Sequence, residues 1–237
     1  MKRLAAILIV ALTAASLLTV TVPVFAEGIG TITQMGIDNY AYVYQELLSE
    51  VVIMQRGNEN SASIEQQGAE HLAGAAQVGD QNELRIQQLG QKDLIVAIQM
   101  GMGNDASITQ MHSTAMGSTN RNISDNDAFL YQSGLYNIVN LMQIGDDNTA
   151  SVYQIDDHNE AFIVQEQAIA ETGANAAFVV QIGIGNWAGS QQLGAHQVSR
   201  SLQMGDSNSS LINQEGIDND AFVSQTGNQN SAIVNQS

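Results

Sequence analysis

Between Gln143 and Gln165 the chain reads QIGDDNTASVYQIDDHNEAFIVQ, and its polar and apolar positions recur every eleven residues. With each Gln as position zero, Gly145 stands at +2, Asn148 at +5, Ala150 at +7, Val152 at +9, and Gln154 at +11 opens the next unit. Asn159, Ala161, Ile163 and Gln165 repeat the last four. Positions of one parity leave the same face of an extended strand, so Asn, Ala, Val or Ile, and Gln point together. The opposite face carries Thr149, Ser151 and Tyr153, then Glu160, Phe162 and Val164. Gly145 with Asp146 or Asp147 is turn chemistry, because Gly supplies positive φ and Asp bonds its own backbone. Each unit predicts one short strand and one tight turn.

The period holds over nearly the whole chain. Units begin at Gln34, Gln45, Gln55, Gln66, Gln77, Gln88, Gln99, Gln110, Arg121, Gln132, Gln143 and Gln154, then at Ala170, Gln181, Gln192, Gln203, Gln214 and Gln225, which makes 18. Asn fills +5 in thirteen of them. His71, Asp93 and Gln197 take the Asn slot elsewhere, and Ser190, Ser199 and Ser201 soften the inner face. The unit from Gln110 to Arg121 is the weakest, offering only Ala115, Gly117 and Thr119, and predicts a frayed rung. Five extra residues after Gln165 predict an enlarged turn over 166–174. A fixed short period signals a repeat architecture.

One strand and one turn cannot bury their inner face alone, so units must stack. Paired units give coils of 22 residues, and the chain is expected to be an all-β solenoid of about nine coils over 34–237, on the order of 40 Å tall. Like side chains then lie over like, and amides bond along the stack because each can donate and accept. The expected ladder residues are Gln34, Asn39, Gln45, Asn60, Gln66, Asn104, Gln110, Asn148, Gln154, Asn159, Gln165, Asn219, Gln225, Asn230 and Gln236. The last unit, QTGNQNSAIVNQ, is as regular as any other, with no helix or Pro blunting it. Uncovered solenoid ends predict head-to-tail growth into a fibre.

Composition sharpens this picture. With 44% hydrophobic residues but only 5% aromatics, 21 Gly and one Pro, the core is thin and built from Ala, Val, Ile and amides. There are no cysteines, hence no disulfides or thiolate metal sites. Lys2 and Arg3, an apolar run, and small residues up to Ala26 read as a signal peptide over 1–26, with 27–33 a short leader. No second hydrophobic span follows, so the mature chain is expected to be exported without a membrane anchor. A net charge of −17 disfavours nucleic acid and anionic membrane as partners.

The pattern Gln-x-Gly-x-x-Asn-x-Ala-x-x-x-Gln resembles the curlin repeat of secreted bacterial curli subunits. It is complete at Gln34, Gly36, Asn39, Ala41, Gln45; at Gln143, Gly145, Asn148, Ala150, Gln154; and at Gln225, Gly227, Asn230, Ala232, Gln236. The resemblance implies an extracellular, cell-surface amyloid fibre used in biofilm matrix and adhesion. Implied partners are the chain itself, other curli subunits and the curli outer-membrane secretion machinery. The Gly-rich leader of the family's major subunit and the basic C-terminal end of its nucleating subunit are both lacking. Fibre subunit, nucleator and a soluble solenoid adhesin all stay open.

Acidic residues fall in the turns. On strict 22-residue coils, one edge is expected to carry Asp38, Glu59, Asp80, Asp125, Asp146, Asp147 and Asp218, and the other Glu70, Lys92, Asp156, Asp157 and Asp206. Their ordinary role is solubility and slowed assembly through repulsion; weak calcium binding is the alternative, without a Gly-Gly-x-Gly-x-Asp repeat to support it. His71, His112, His158 and His196 lack metal-ligand spacing. No nucleophile, base and orienting carboxylate recur together, so neither enzyme nor cofactor is expected. The outward triplets Tyr40-Tyr42-Tyr44, Ser61-Ser63-Glu65 and Leu94-Val96-Ile98 form no Thr ladder of the ice-binding kind.

Overall fold

The computed structural model describes residues 7–11, 18–23, 28–112, 125–167 and 173–237. One sheet, sheet 1, stacks β1 (Ile7–Ala11), β4 (Tyr40–Gln45), β6 (Ser61–Ala69), β8 (Glu83–Gln91), β10 (Asp105–Met111), β12 (Ile138–Ile144), β14 (Glu160–Glu166), β16 (Trp187–Ala195), β18 (Ser209–Ile217) and β20 (Ser231–Gln236). The other, sheet 2, stacks β2 (Leu18–Pro23), β3 (Ile29–Met35), β5 (Glu50–Arg56), β7 (Leu72–Asp80), β9 (Leu94–Met102), β11 (Asp127–Leu135), β13 (Thr149–Ile155), β15 (Ala176–Ile182), β17 (Val198–Met204) and β19 (Asp220–Thr226). From β3 onward all neighbours are parallel, giving two nine-stranded sheets and a β-solenoid of nine coils.

Alternation decides what is buried. In β13 the residues Ala150, Val152 and Gln154 are buried while Thr149 and Ile155 are exposed. Ala at +7, such as Ala41, Ala62 and Ala161, is fully buried and lets the two sheets approach. Ile64, Ile86, Ile108 and Leu130 at +9 fill the space behind, each burial contributing about 1.5–3 kcal/mol. Where Ser replaces them, the sheets are joined by hydrogen bonds instead: Ser190 Oγ to Ser199 Oγ and Ser201 Oγ to Ser210 Oγ, both 2.6 Å.

Along the column the structure departs from the sequence reading in two places, at the first rung and at the unit from Gln110 to Arg121. Ile29–Met35, within the expected leader and first unit, forms a complete rung that pairs with β5 from Ile29↔Glu50 to Met35↔Arg56. The expected frayed rung at Ala115, Gly117 and Thr119 lies outside the described residues, and the column closes without it. β10 pairs directly with β12, and β9 with β11, so Gln110 meets Gln143 at a separation of 33 residues. That unit ends in Arg121 instead of Gln, and a guanidinium in a buried ladder slot would be an unpaired buried charge. Where the enlarged turn was expected, the ladder spans 27 residues from Gln165 to Gln192 with its register intact.

Skipping one unit also inverts the side on which every later turn emerges. Asp156, Asp157 and Asp206 stand on the same edge as Asp38, Glu59 and Asp80, and Asp125, Asp146, Asp147 and Asp218 stand with Glu70 and Lys92. This corrects the expected edge assignment. Acidic charge is shared between the edges instead of concentrated on one.

Candidate functional site

Two ladders of Gln run the length of the column. In sheet 2, Gln34 Nε2 donates to Gln55 Oε1 at 2.7 Å, and the chain of donors continues through Gln77, Gln99, Gln132, Gln154, Gln181 and Gln203 to Gln225. In sheet 1 the same relay runs from Gln45 and Gln66 to Gln214 and Gln236. From Gln55 and Gln66 onward each amide's other N–H crosses the core to a backbone carbonyl of the facing sheet, as Gln154 Nε2 to Ile138 O at 3.0 Å. Gln therefore does two jobs: it links coils along the axis and ties the two sheets together.

Asn stitches the turns in the opposite sense. Asn60 donates its backbone N–H and Nδ2 to Asn39 Oδ1 at 3.1 and 3.0 Å, and the second Nδ2 hydrogen reaches Gly79 O of the next coil at 2.7 Å. The pattern repeats at Asn82, Asn104, Asn137, Asn159, Asn186, Asn208 and Asn230. Gly at +2 makes it possible. Gly79 has φ +115°, and a methyl there would run into the carbonyl of Gly101 directly beneath, so successive turns touch backbone to backbone.

On the second edge the slot runs through Ser49, His71, Asp93, Asn126, Asn148, Asn175 and Gln197. His71 mimics Asn: its Nδ1 accepts the Asp93 N–H at 3.3 Å and its Nε2 lies 3.2 Å from Gln67 O, the tautomer being assigned from these partners. Asp93 mimics only half of Asn. One oxygen accepts from the Asn126 N–H at 3.1 Å, while Oδ2, 3.3 Å from the same His71 nitrogen, is buried without a hydrogen bond. Gln197 is one methylene too long, and its Oε1 is likewise buried and unpartnered.

Among the expected ladder residues, twelve are buried, and Asn219, Asn230 and Gln236 on the last coil are not. The Gln residues stack on Gln, while Asn148 and Asn159 stand on the opposite edges from those that strict 22-residue coils give them, stacked on Asn126 and Asn137, and Asn219 makes no bond to Gln197, whose Oε1 is unpartnered. Sequence reasoning missed the carbonyl partners of the amides. The Gly at +2, five residues before each strand's buried Ala, was the signal for one of them.

The relay leaves the two ends unlike. On the first coil Gln34 Oε1 and Gln45 Oε1 are buried acceptors with no donor. On the last coil Gln225 Nε2 and Gln236 Nε2 donate only to Ser209 O and Asp220 O, with no further amide beyond them among the described residues. One end presents acceptors and the other donors, spaced alike.

Segments 57–90, 124–155 and 202–227 match the family model described as the curlin associated repeat. No curated protein matches the chain significantly.

Proposed function

We propose that this curlin-repeat protein is an exported structural subunit that self-assembles end to end into a curli-type fibre of the biofilm matrix, serving adhesion instead of catalysis. The observation that carries the reading is the mismatch between its ends. The free acceptors of Gln34 and Gln45 and the donors of Gln225 and Gln236 are complementary, so a second molecule continues both ladders without changing the register. Once the strands over that end are removed these acceptors face water, and stacking gives each an amide donor in the buried ladder, a net gain of about 0.5–1.5 kcal/mol per bond, while pairing two exposed strand edges. The polarity makes growth head-to-tail, which does not close and so gives a filament.

In the full chain β1 lies antiparallel on β4 and β2 on β3, along the edge that an incoming molecule would use. Cleavage after Ala26 removes both strands and frees that edge, so assembly follows export. Other curli subunits and the outer-membrane secretion machinery are the partners this reading implies.

The test is to incubate the purified chain beginning at Glu27 and follow thioflavin fluorescence, electron microscopy and fibre diffraction. Unbranched fibres with a meridional repeat of about 4.8 Å are expected, and the chain retaining residues 1–26 should lag behind. A truncated chain that stays monomeric for days at high concentration refutes the reading.

A further inference from the structure

The outward faces of the two sheets differ in kind. On sheet 1 the central outward positions of β6, β8 and β10 are polar, Ser63, Glu65, Arg85, Gln87, Ser107 and Thr109, and they separate the apolar Tyr42 and Tyr44 from Met142, Phe162 and Val164. On sheet 2 the middle of the face is apolar, with Val52 and Met54, Val96 and Ile98, Phe129 and Tyr131, Tyr153, then Phe178 and Val180, interrupted by the small Gly74, Ala76 and Ser151, with Thr31, Thr33 and Ser224 towards the ends and Arg200 the one charge at these positions. Phe129, Tyr153 and Phe178 stack along the column with ring centres 5.2 and 5.9 Å apart. Even so, Phe178 is 42% and Met54 51% exposed. A largely apolar sheet face of this kind marks an interaction surface.

We infer that this face pairs with the same face of a second copy, sheet 2 against sheet 2, giving a doubled column. Three observations favour a copy of the chain over a foreign occupant. The face is about 40 Å by about 20 Å, so pairing buries about 800 Å² per copy, the size of a standard stable interface. Its outward charges are Glu50, Asp127 and Asp220 against Arg56 and Arg200, three minus two, a net −1 on a chain of −17, so it is where two copies approach with least repulsion. The relief is also self-complementary. A two-fold axis along the central strand β11 brings β15 over β7, setting Phe178 of one copy above Gly74 of the other, where no side chain competes for the space. The same axis sets Tyr153 against Ile98. Such an isologous contact closes at two copies and leaves both column ends free.

The chain has no cysteine, which gives a clean cross-linking background. Tyr131→Cys lies on the proposed axis, so the two introduced thiols face each other and oxidise to a disulfide-linked dimer. Leu211→Cys, on the outward face of sheet 1, is the control. Both variants are made in the chain beginning at Glu27 and oxidised at a concentration at which it remains soluble. The expected result is dimer formed at least tenfold faster for Tyr131→Cys than for Leu211→Cys, with Phe178→Lys abolishing the difference. Equal rates overturn the proposal. So does protection of the Tyr131→Cys thiol by phospholipid vesicles or a soluble β-glucan in place of cross-linking. End-to-end stacking sets the Tyr131 positions of two copies about nine strand spacings, roughly 40 Å, apart. A chain that forms no fibre yet cross-links loses the fibre reading and keeps this one, and single-column fibres without cross-links do the reverse.

Discussion

Replacing Gln154 by Ala tests whether the ladder stabilises the solenoid or merely decorates it. Gln154 donates to Gln181 Oε1 at 2.9 Å and to Ile138 O at 3.0 Å, and accepts from Gln132 Nε2 at 3.0 Å. Truncation leaves Gln181 Oε1 buried without a donor and opens a void in a side chain that is fully enclosed. Gln132 Nε2 keeps its bond to Asp105 O at 3.1 Å, so the damage on that side is partial. One orphaned acceptor at about 1–3 kcal/mol, with the cavity added and Ile138 O keeping its place in the strand ladder, puts the loss at about 2–5 kcal/mol. That is a large share of the ~5–15 kcal/mol typical of a folded domain. Gln236 is the contrast: it sits half-exposed on the last coil, and water can replace its partners, so Gln236→Ala should cost about 1 kcal/mol or less. The measurement is guanidinium unfolding of the chain beginning at Glu27, followed by circular dichroism at low concentration. Equal losses at the two positions, or a loss below about 1 kcal/mol at Gln154, would refute the argument from buried amide pairing.

Three further outcomes follow from particular contacts. Asp93→Asn gives the unpartnered Oδ2 position an N–H and should stabilise the fold by about 1–3 kcal/mol in the same assay, whereas Asp93→Ala should destabilise it. Gly79→Ala forces a methyl into the Gly101 carbonyl at φ +115° and should cost about 2–4 kcal/mol, while Gly185→Ala, at φ +67° with open space, should cost about 1 kcal/mol. Burial raises the carboxyls of Asp105, Asp125 and Asp127, with Glu83 adding at the first, Asp147 adding and Lys92 opposing at the second, and Asp125 adding at the third. The folded state then holds protons more tightly than the unfolded one, so this contribution is fullest below the ordinary carboxylate range and is lost as pH rises through the raised values. The melting temperature and the thioflavin growth rate should both be higher near about pH 4 than near pH 7, and a flat profile counts against it.

The strands, the inward residues and the stacking of Gln on Gln were all legible in the sequence, because a period of eleven with fixed parity leaves only one face for Asn148, Ala150, Val152 and Gln154. The turns were less so. Nothing in the spacing distinguishes a poor rung from one the column omits, since Gln110 to Arg121 has the right length. Only the direct pairing of Gln110 with Gln143 decides it. The two edges were misassigned for that reason alone: parity propagates, and one skipped unit moves Asp125, Asp146 and Asp147 across the molecule. The rung at Ile29–Met35 was missed because it begins before the first Gln. Its Gly30, Ile32 and Gln34 nevertheless keep the inward parity.

The same columns that stabilise the molecule also give it a direction. In both Gln ladders every Nε2 points towards the later coil, and in the main Asn ladder every Oδ1 awaits a donor from the later coil, so no coil is equivalent to its mirror image along the axis. A molecule added upside down on the last coil would set Gln donor against Gln donor at two positions, Gln225 and Gln236, and Asn acceptor against acceptor at the Asn230 slot, each mismatch costing about 1–3 kcal/mol once the junction buries it. One added with its turns exchanged would put Gln over Gln but the Asn39 slot over Asn219, on the edge where Gln197 has already broken the relay. In the proposed fibre, the correct sense of stacking is therefore selected by hydrogen-bond complementarity, before any shape or charge acts. The acidic edges then bear on rate more than on sense, because like charges on stacked turns slow every approach equally.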